Sequence, residues 1–139
     1  MRLKRFNLVA FLFLMVSHLS AAEPLASHEV RHEPVAPKPG VPVLVTAVFK
    51  AGISNVKIKL QSIAPGKYVR KSDSTYEKDW AELPMHDDGK DGDAKAGDGI
   101  FSISIPASYQ QHRWLIRYRI IATDEKGQGF VLPLSLIHI

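Results

Sequence analysis

Trp114-Leu115-Ile116-Arg117-Tyr118-Arg119-Ile120-Ile121-Ala122 alternates residue by residue: Trp114, Ile116, Tyr118, Ile120 and Ala122 fall on one face, and Leu115, Arg117, Arg119 and Ile121 on the other. A period of two marks a strand with one face in a core, and β-branched and aromatic side chains suit that pleated surface. Asp124-Glu125-Lys126-Gly127 then supplies turn residues, so the chain is expected to reverse there.

The same period recurs upstream. Val43, Val45, Ala47 and Phe49 alternate with Leu44, Thr46 and Val48; Val56, Ile58 and Leu60 alternate with Lys57, Lys59 and Gln61; Phe101, Ile103 and Ile105 alternate with Ser102 and Ser104 and stop at Pro106. Gly52 to Asn55 is expected to turn the chain between the first two runs, with Ser54-Asn55 suited to a tight reversal. Weaker strands are expected over 30–35, 67–71, 80–85 and 128–132. No long helical period is present, and the connections are too short for helical crossovers. The pattern therefore predicts an all-β fold, an antiparallel β-sandwich of about seven to eight strands. Trp114 shares the core register, and Trp80 is expected to fill space between the sheets. Ala36-Pro37-Lys38-Pro39-Gly40 reads as a stiff segment that can blunt a sheet edge.

The two ends read differently. Arg2, Lys4 and Arg5 precede the apolar run Leu8–Val16 and then Ser20-Ala21-Ala22, the pattern of a signal peptide over 1–22 cleaved after Ala22. The apolar run is about half a membrane span, so no stable span is expected after cleavage. The product would be secreted, held at the cell surface or periplasmic. At the other end, residues 134–139, Leu134-Ser135-Leu136-Ile137-His138-Ile139, resemble an in-frame translation of a transposase-type sequencing adapter, the alternative being a genuine last strand. Residues 23–133 are thus expected to form one domain, the N-terminal fragment of a longer exported protein.

Of 18 cations, three lie in the leader, which has no acid, leaving 15 against 14 acids. Basicity therefore gives no support for nucleic-acid binding. With no cysteine, the domain has no disulfide and no thiolate metal site. Six histidines are scattered without metal-binding spacing; each of His28, His32, His86 and His112 is expected to be an exposed polar residue. Neither Ser62 nor Ser108 has the Gly-flanked, base-assisted context of a nucleophile. Gly97-Asp98-Gly99 runs into a strand amid negative charge, unlike a phosphate-cradling loop. No catalytic or cofactor-binding residue is therefore assigned.

Residues 85–99 pack five carboxylates and four glycines into one loop. Two readings stay open. The glycines can supply positive-φ turns while Asp side chains accept nearby N–H groups, which needs no metal. Alternatively Asp87, Asp88, Asp91, Asp93 and Asp98 form a calcium loop, since calcium takes oxygen ligands from carboxylates and carbonyls. The helix-loop-helix calcium pattern does not fit: with Asp91 first, the fifth position is Lys95 and the twelfth Ser102. A second functional class is a carbohydrate-binding module, in which the loop residues Tyr68, Tyr76 and Tyr109 would stack on a glycan.

Tyr118-Arg119-Ile120-Ile121-Ala122-Thr123-Asp124 followed by Gly127 resembles the F strand of immunoglobulin-like and fibronectin-III sandwiches, in which the equivalent Tyr fixes a corner. Together Pro39-Gly40, Val45-Thr46-Ala47, Val56 to Leu60, the Trp80 region, Met85 to Gly89, Gly92 to Phe101 and Ile105-Pro106 resemble the sandwich domain of exported bacterial proteins with a CotH-like kinase domain or lamin-tail domains. The resemblance implies an accessory module whose partners are other domains of the same polypeptide, a cell-surface protein or a glycan. It places ATP-dependent phosphotransfer in a separate domain.

Overall fold

The computed structural model describes residues 29–50 and 52–138, with side chains as far as Leu132. The signal-peptide reading of 1–22, His28 and Ile139 lie outside the described residues, as do the side chains of the adapter-like segment. The strands are β1 (Val30–Glu33), β2 (Val43–Val48), β3 (Ile53–Ile63), β4 (Ala81–Pro84), β5 (Ile100–Ile105), β6 (Leu115–Asp124) and β7 (Gly129–His138), with a 3-10 turn at Ala107–Tyr109. They form two antiparallel sheets ordered β1-β2-β5 and β4-β3-β6-β7. The all-β sandwich read from the alternation is the fold observed.

Burial follows the period of two. Val43, Val45 and Ala47 of β2, Val56, Ile58 and Leu60 of β3, Ile105 of β5, and Ile116, Tyr118, Ile120 and Ala122 of β6 meet between the sheets with Phe49 and Met85. Full burial of each large side chain stabilises by roughly 1.5–3 kcal/mol. The β6–β7 reversal falls where expected: Gly127 N–H donates to Asp124 O at 3.0 Å, and Asp124 Oδ1 accepts from Lys126 and Gln128 N–H at 2.9 and 2.7 Å.

Several expectations are corrected. Residues 67–71 form no strand, because their backbone groups are used in turns and by Arg117 rather than in a ladder: Lys67 N–H donates to Ala64 O, Asp73 N–H to Arg70 O, and Arg117 Nη2 to Val69 O at 2.7 Å. Ser54 and Asn55 do not make a turn. They lie in β3, which pairs with β6 from Ile53 onward through a register shift, and Ser54 Oγ donates to Thr123 O and Asp124 O. Since β2 and β3 belong to different sheets, the link between them crosses the sandwich instead of closing a hairpin.

Neither Trp joins the core cluster. The strand containing Tyr118 starts only at Leu115, after Arg113 at φ 64, so the core register ends before Trp114. Trp80 lies on the outer side of the four-stranded sheet, beneath Arg119.

Tyr118 is fully buried, and its hydroxyl meets Nδ1 of the half-buried His32 at 3.0 Å, the two rings standing edge-on. His32 is therefore a partner in the sandwich rather than a solvated residue. Its Nε2 lies 3.3 Å from Val35 O, which can only accept; in the neutral ring that places the proton on Nε2 and makes Tyr118 the donor to Nδ1. Burial pushes the phenol far above its ordinary titration range, which keeps that donor protonated.

Removing only this hydroxyl, in Tyr118→Phe, is expected to lower stability by about 0.5–1.5 kcal/mol. Tyr118→Ala, which also empties the space, should cost about 3–5 kcal/mol. Urea unfolding followed by circular dichroism measures both.

Candidate functional site

The Asp/Gly loop is closed before its side chains act. Met85 N–H donates to Val56 O at 2.9 Å, and His86 exchanges two backbone hydrogen bonds with Ser102, at 3.0 and 2.8 Å. The chain thus leaves the four-stranded sheet, touches β5, loops out over 87–99 and returns as β5 itself. Compact loops with adjacent ends of this kind are held by their own side chains.

Asp87 is the hub. Its Oδ1 accepts from Gly97 N–H at 2.6 Å and Asp98 N–H at 3.2 Å, and its Oδ2 from Gly99 N–H at 2.9 Å. Asp93 Oδ2 accepts from Gly89 N–H at 2.6 Å, Asp98 Oδ1 from Ile100 N–H at 2.9 Å, and Asp88 Oδ1 from Lys90 N–H at 3.1 Å. Gly99 cannot carry a side chain: at φ 83, an added Cβ would lie 2.8 Å from Phe49 O, and Phe49 N–H donates to Gly99 O at 2.9 Å, holding the loop's end there. Gly92 lies over β2, where an added Cβ would meet Leu44 Cδ1 at 2.5 Å.

Of the five aspartates singled out in the sequence, three are brought together. One carboxylate oxygen from each of Asp87, Asp93 and Asp98 lies within 4.8 Å of the others, while Asp88 and Asp91 stay outside the group and are exposed. Two unit charges at that spacing repel by about 3 kcal/mol at an effective dielectric near 20. Ion pairs among the described residues join Arg31 to Glu29, Lys57 and Lys59 to Glu82, and Arg119 to Glu77, and none reaches this cluster. Sequence reasoning missed Ser102, whose buried Oγ lines one cavity with Asp93 on the outer side of the β1-β2-β5 sheet. A serine at an outward strand position gives no signal of that role.

The other outer face is covered by the loop 64–80. Gln61 Nε2 donates to Tyr76 O and Lys78 O at 3.2 and 2.9 Å, and Arg117 reaches Val69 O. The guanidinium of Arg117, 2% exposed, lies near the rings of Tyr76 and Tyr68, and that of Arg119 sits 4.4 Å over Trp80 while pairing with Glu77. Desolvated cation–π contacts of this kind are worth about 2 kcal/mol. The glycan platform loses most of its members: Tyr76 is buried and Tyr109 packs on the core, leaving Tyr68 exposed.

The family model for the second Ig-like domain of conditioned medium factor matches residues 74–132, from the end of the 64–80 loop through the Asp/Gly loop into β7. The sandwich is immunoglobulin-like. In immunoglobulin lettering β1-β2-β5 are strands A, B and E, and β4-β3-β6-β7 are C′, C, F and G, so the fourth strand lies beside C rather than beside E. The F-strand Tyr118 bonds a side chain of strand A, His32, instead of holding a corner through the backbone. Among solved structures, the chain is similar to Astrotactin-2, described as a conserved vertebrate-specific and perforin-like membrane protein involved in neuronal development. The likeness has a TM-score of 0.52 at 13% identity over 84% of this chain. The match spans 22% of that chain, and at such identity it speaks for the fold alone. A search of curated proteins gave no match. Among the described residues no helix is long and apolar enough to cross a membrane.

Asp87→Ala strands three N–H groups and is expected to cost about 2–4 kcal/mol, whereas Asp91→Asn should stay within about 0.5 kcal/mol, as read by thermal melts. The Arg119 hydrogen bond holds the Glu77 carboxyl below the usual range, so this pair supports the docked loop above that range and lets go as pH falls through the lowered value. Glu77 is largely exposed, so the effect is small. Hydrogen-exchange protection of Tyr76 and Lys78 should hold above the ordinary Glu pKa of about 4.3 and fall as the pH drops below it, and Glu77→Gln should abolish that dependence.

Proposed function

We propose that this immunoglobulin-like domain is a non-catalytic spacer and interaction module of an exported multidomain protein, one built like those with a CotH-like kinase or lamin-tail domain. The observation that carries this reading is the use made of the polar side chains. Asp87 organises one surface loop, and Gln61, Arg117 and Arg119 fasten the other. Of the histidines, His32 is engaged with the hydroxyl of the core tyrosine. These groups support surfaces rather than assembling a nucleophile, a base and an oxyanion donor around one cavity.

The leader-like 1–22 supports export, and the family similarity supports an Ig-like role in protein interaction. A domain of this kind acts through its surface: the sandwich holds its loops in fixed relative positions, and partners meet those loops and the exposed strand edges.

The source DNA, read in one piece across the Pro133 codon, is expected to continue in frame into a kinase-like or lamin-tail domain. The exported protein should begin at Glu23 by mass spectrometry of its N-terminal peptide. The present chain incubated alone with ATP and candidate acceptors should transfer no phosphate. A stop codon directly after Ile139, a retained leader, or phosphotransfer by this chain alone would each overturn the corresponding part of the reading.

A further inference from the structure

Three of the loop's carboxylates converge, and the protein alone does not satisfy one of them. Asp93 is 7% exposed, and its Oδ1 has no hydrogen-bond partner although Oδ2 takes the Gly89 N–H. A buried carboxylate oxygen with neither donor nor cation is costly, and folded proteins keep few of them. The same carboxylate supplies an oxygen to the cluster with Asp87 and Asp98, all within 4.8 Å. Ser102 Oγ, lining the same cavity as Asp93, is a second buried oxygen without a partner.

Nearby basic groups do not answer this need. Arg31, which lines the cavity beside Asp93, pairs with Glu29. Lys50 borders the depression beside Asp87 and Asp98 but forms none of the ion pairs among the described residues.

We propose that the loop 87–99 holds a calcium ion, with Asp87, Asp93 and Asp98 as its carboxylate ligands. Calcium binds oxygen at about 2.3–2.6 Å, so two ligand oxygens on one ion stand at most about 5 Å apart, and the observed spacing of 4.8 Å or less meets that limit. An all-oxygen donor set suits a hard cation and gives a thiophilic metal nothing to bind. Calcium also tolerates an irregular shell completed by carbonyls and water, whereas magnesium demands near-octahedral geometry at about 2.0–2.1 Å. The N–H groups of Gly97, Asp98 and Gly99 fix the Asp87 carboxylate in place, as outer-shell donors do for metal ligands. Asp98 is exposed, which leaves that side of the cluster accessible to solvent water.

The test uses the full chain stripped with chelator, titrated with calcium chloride by calorimetry and melted in parallel. A site in the range usual for extracellular modules, Kd about 10⁻⁴–10⁻³ M, raises Tm by about 6–12 °C at about 10 mM calcium. Asp98→Asn, at an exposed position that folding tolerates, should weaken calcium binding by about tenfold or more, while Asp91→Asn should leave it unchanged. Magnesium at equal concentration should give a smaller shift. Identical melts with no heat of binding would overturn the proposal. So would an equal response to magnesium, or a calcium shift that survives intact in both Asp98→Asn and Asp93→Asn.

Discussion

A strand must send neighbouring side chains to opposite sides, and in β6 this constraint does two jobs at once. Tyr118 goes inward to the core and reaches His32 of the opposite sheet, while Arg117 and Arg119, one residue to either side, go outward and hold the loop 64–80. The sandwich and the cover on its four-stranded face are therefore fixed by the same short run of backbone. A slip of one residue in β6 would put two guanidiniums between the sheets and the phenol outside, so the register admits no near alternative.

The two outer faces are covered by different physics. On the four-stranded side the strands supply cations and an amide, and the loop supplies carbonyls, aromatic rings and one carboxylate. On the three-stranded side the loop 87–99 is held chiefly by its own backbone and carboxylates, because Asp87 gathers the N–H groups at its far end and the neighbouring glycines make room for the close backbone approach. The first arrangement depends on the sheet beneath it. The second also rests on its neighbours at two glycines, Gly92 lying over Leu44 and Gly99 against the Phe49 backbone.

How much of this was legible in the sequence follows the range of each interaction. The alternations at 43–49, 56–60, 100–105 and 115–122 encode strand and inward face directly, because a period of two is a local property, whereas Trp114 falls outside the strand and the core. Connectivity between sheets is not local, so the reversal expected at Ser54-Asn55 became the opening of β3. Gln61 and Arg117 look like solvent-side residues in the alternation, and only the loop folding over them from positions 69–78 buries them. In the Asp/Gly loop the turn chemistry could be read from residue type. Which aspartates converge could not, because the choice of 87, 93 and 98 over 88 and 91 depends on the folded path between them.

The loop 64–80 carries Lys67, Arg70, Lys71 and Lys78, all exposed, on a segment without regular structure. Trypsin-like enzymes cleave after such residues, but they need the backbone drawn out and presented to their own cleft. Here Val69, Tyr76 and Lys78 have their carbonyls tied to Arg117 and Gln61, so the chain cannot be drawn out without first breaking those bonds and unstacking Arg119 from Trp80. Wherever this domain meets secreted proteases, the outward side chains of β3 and β6 thus govern how long its most cleavable stretch survives.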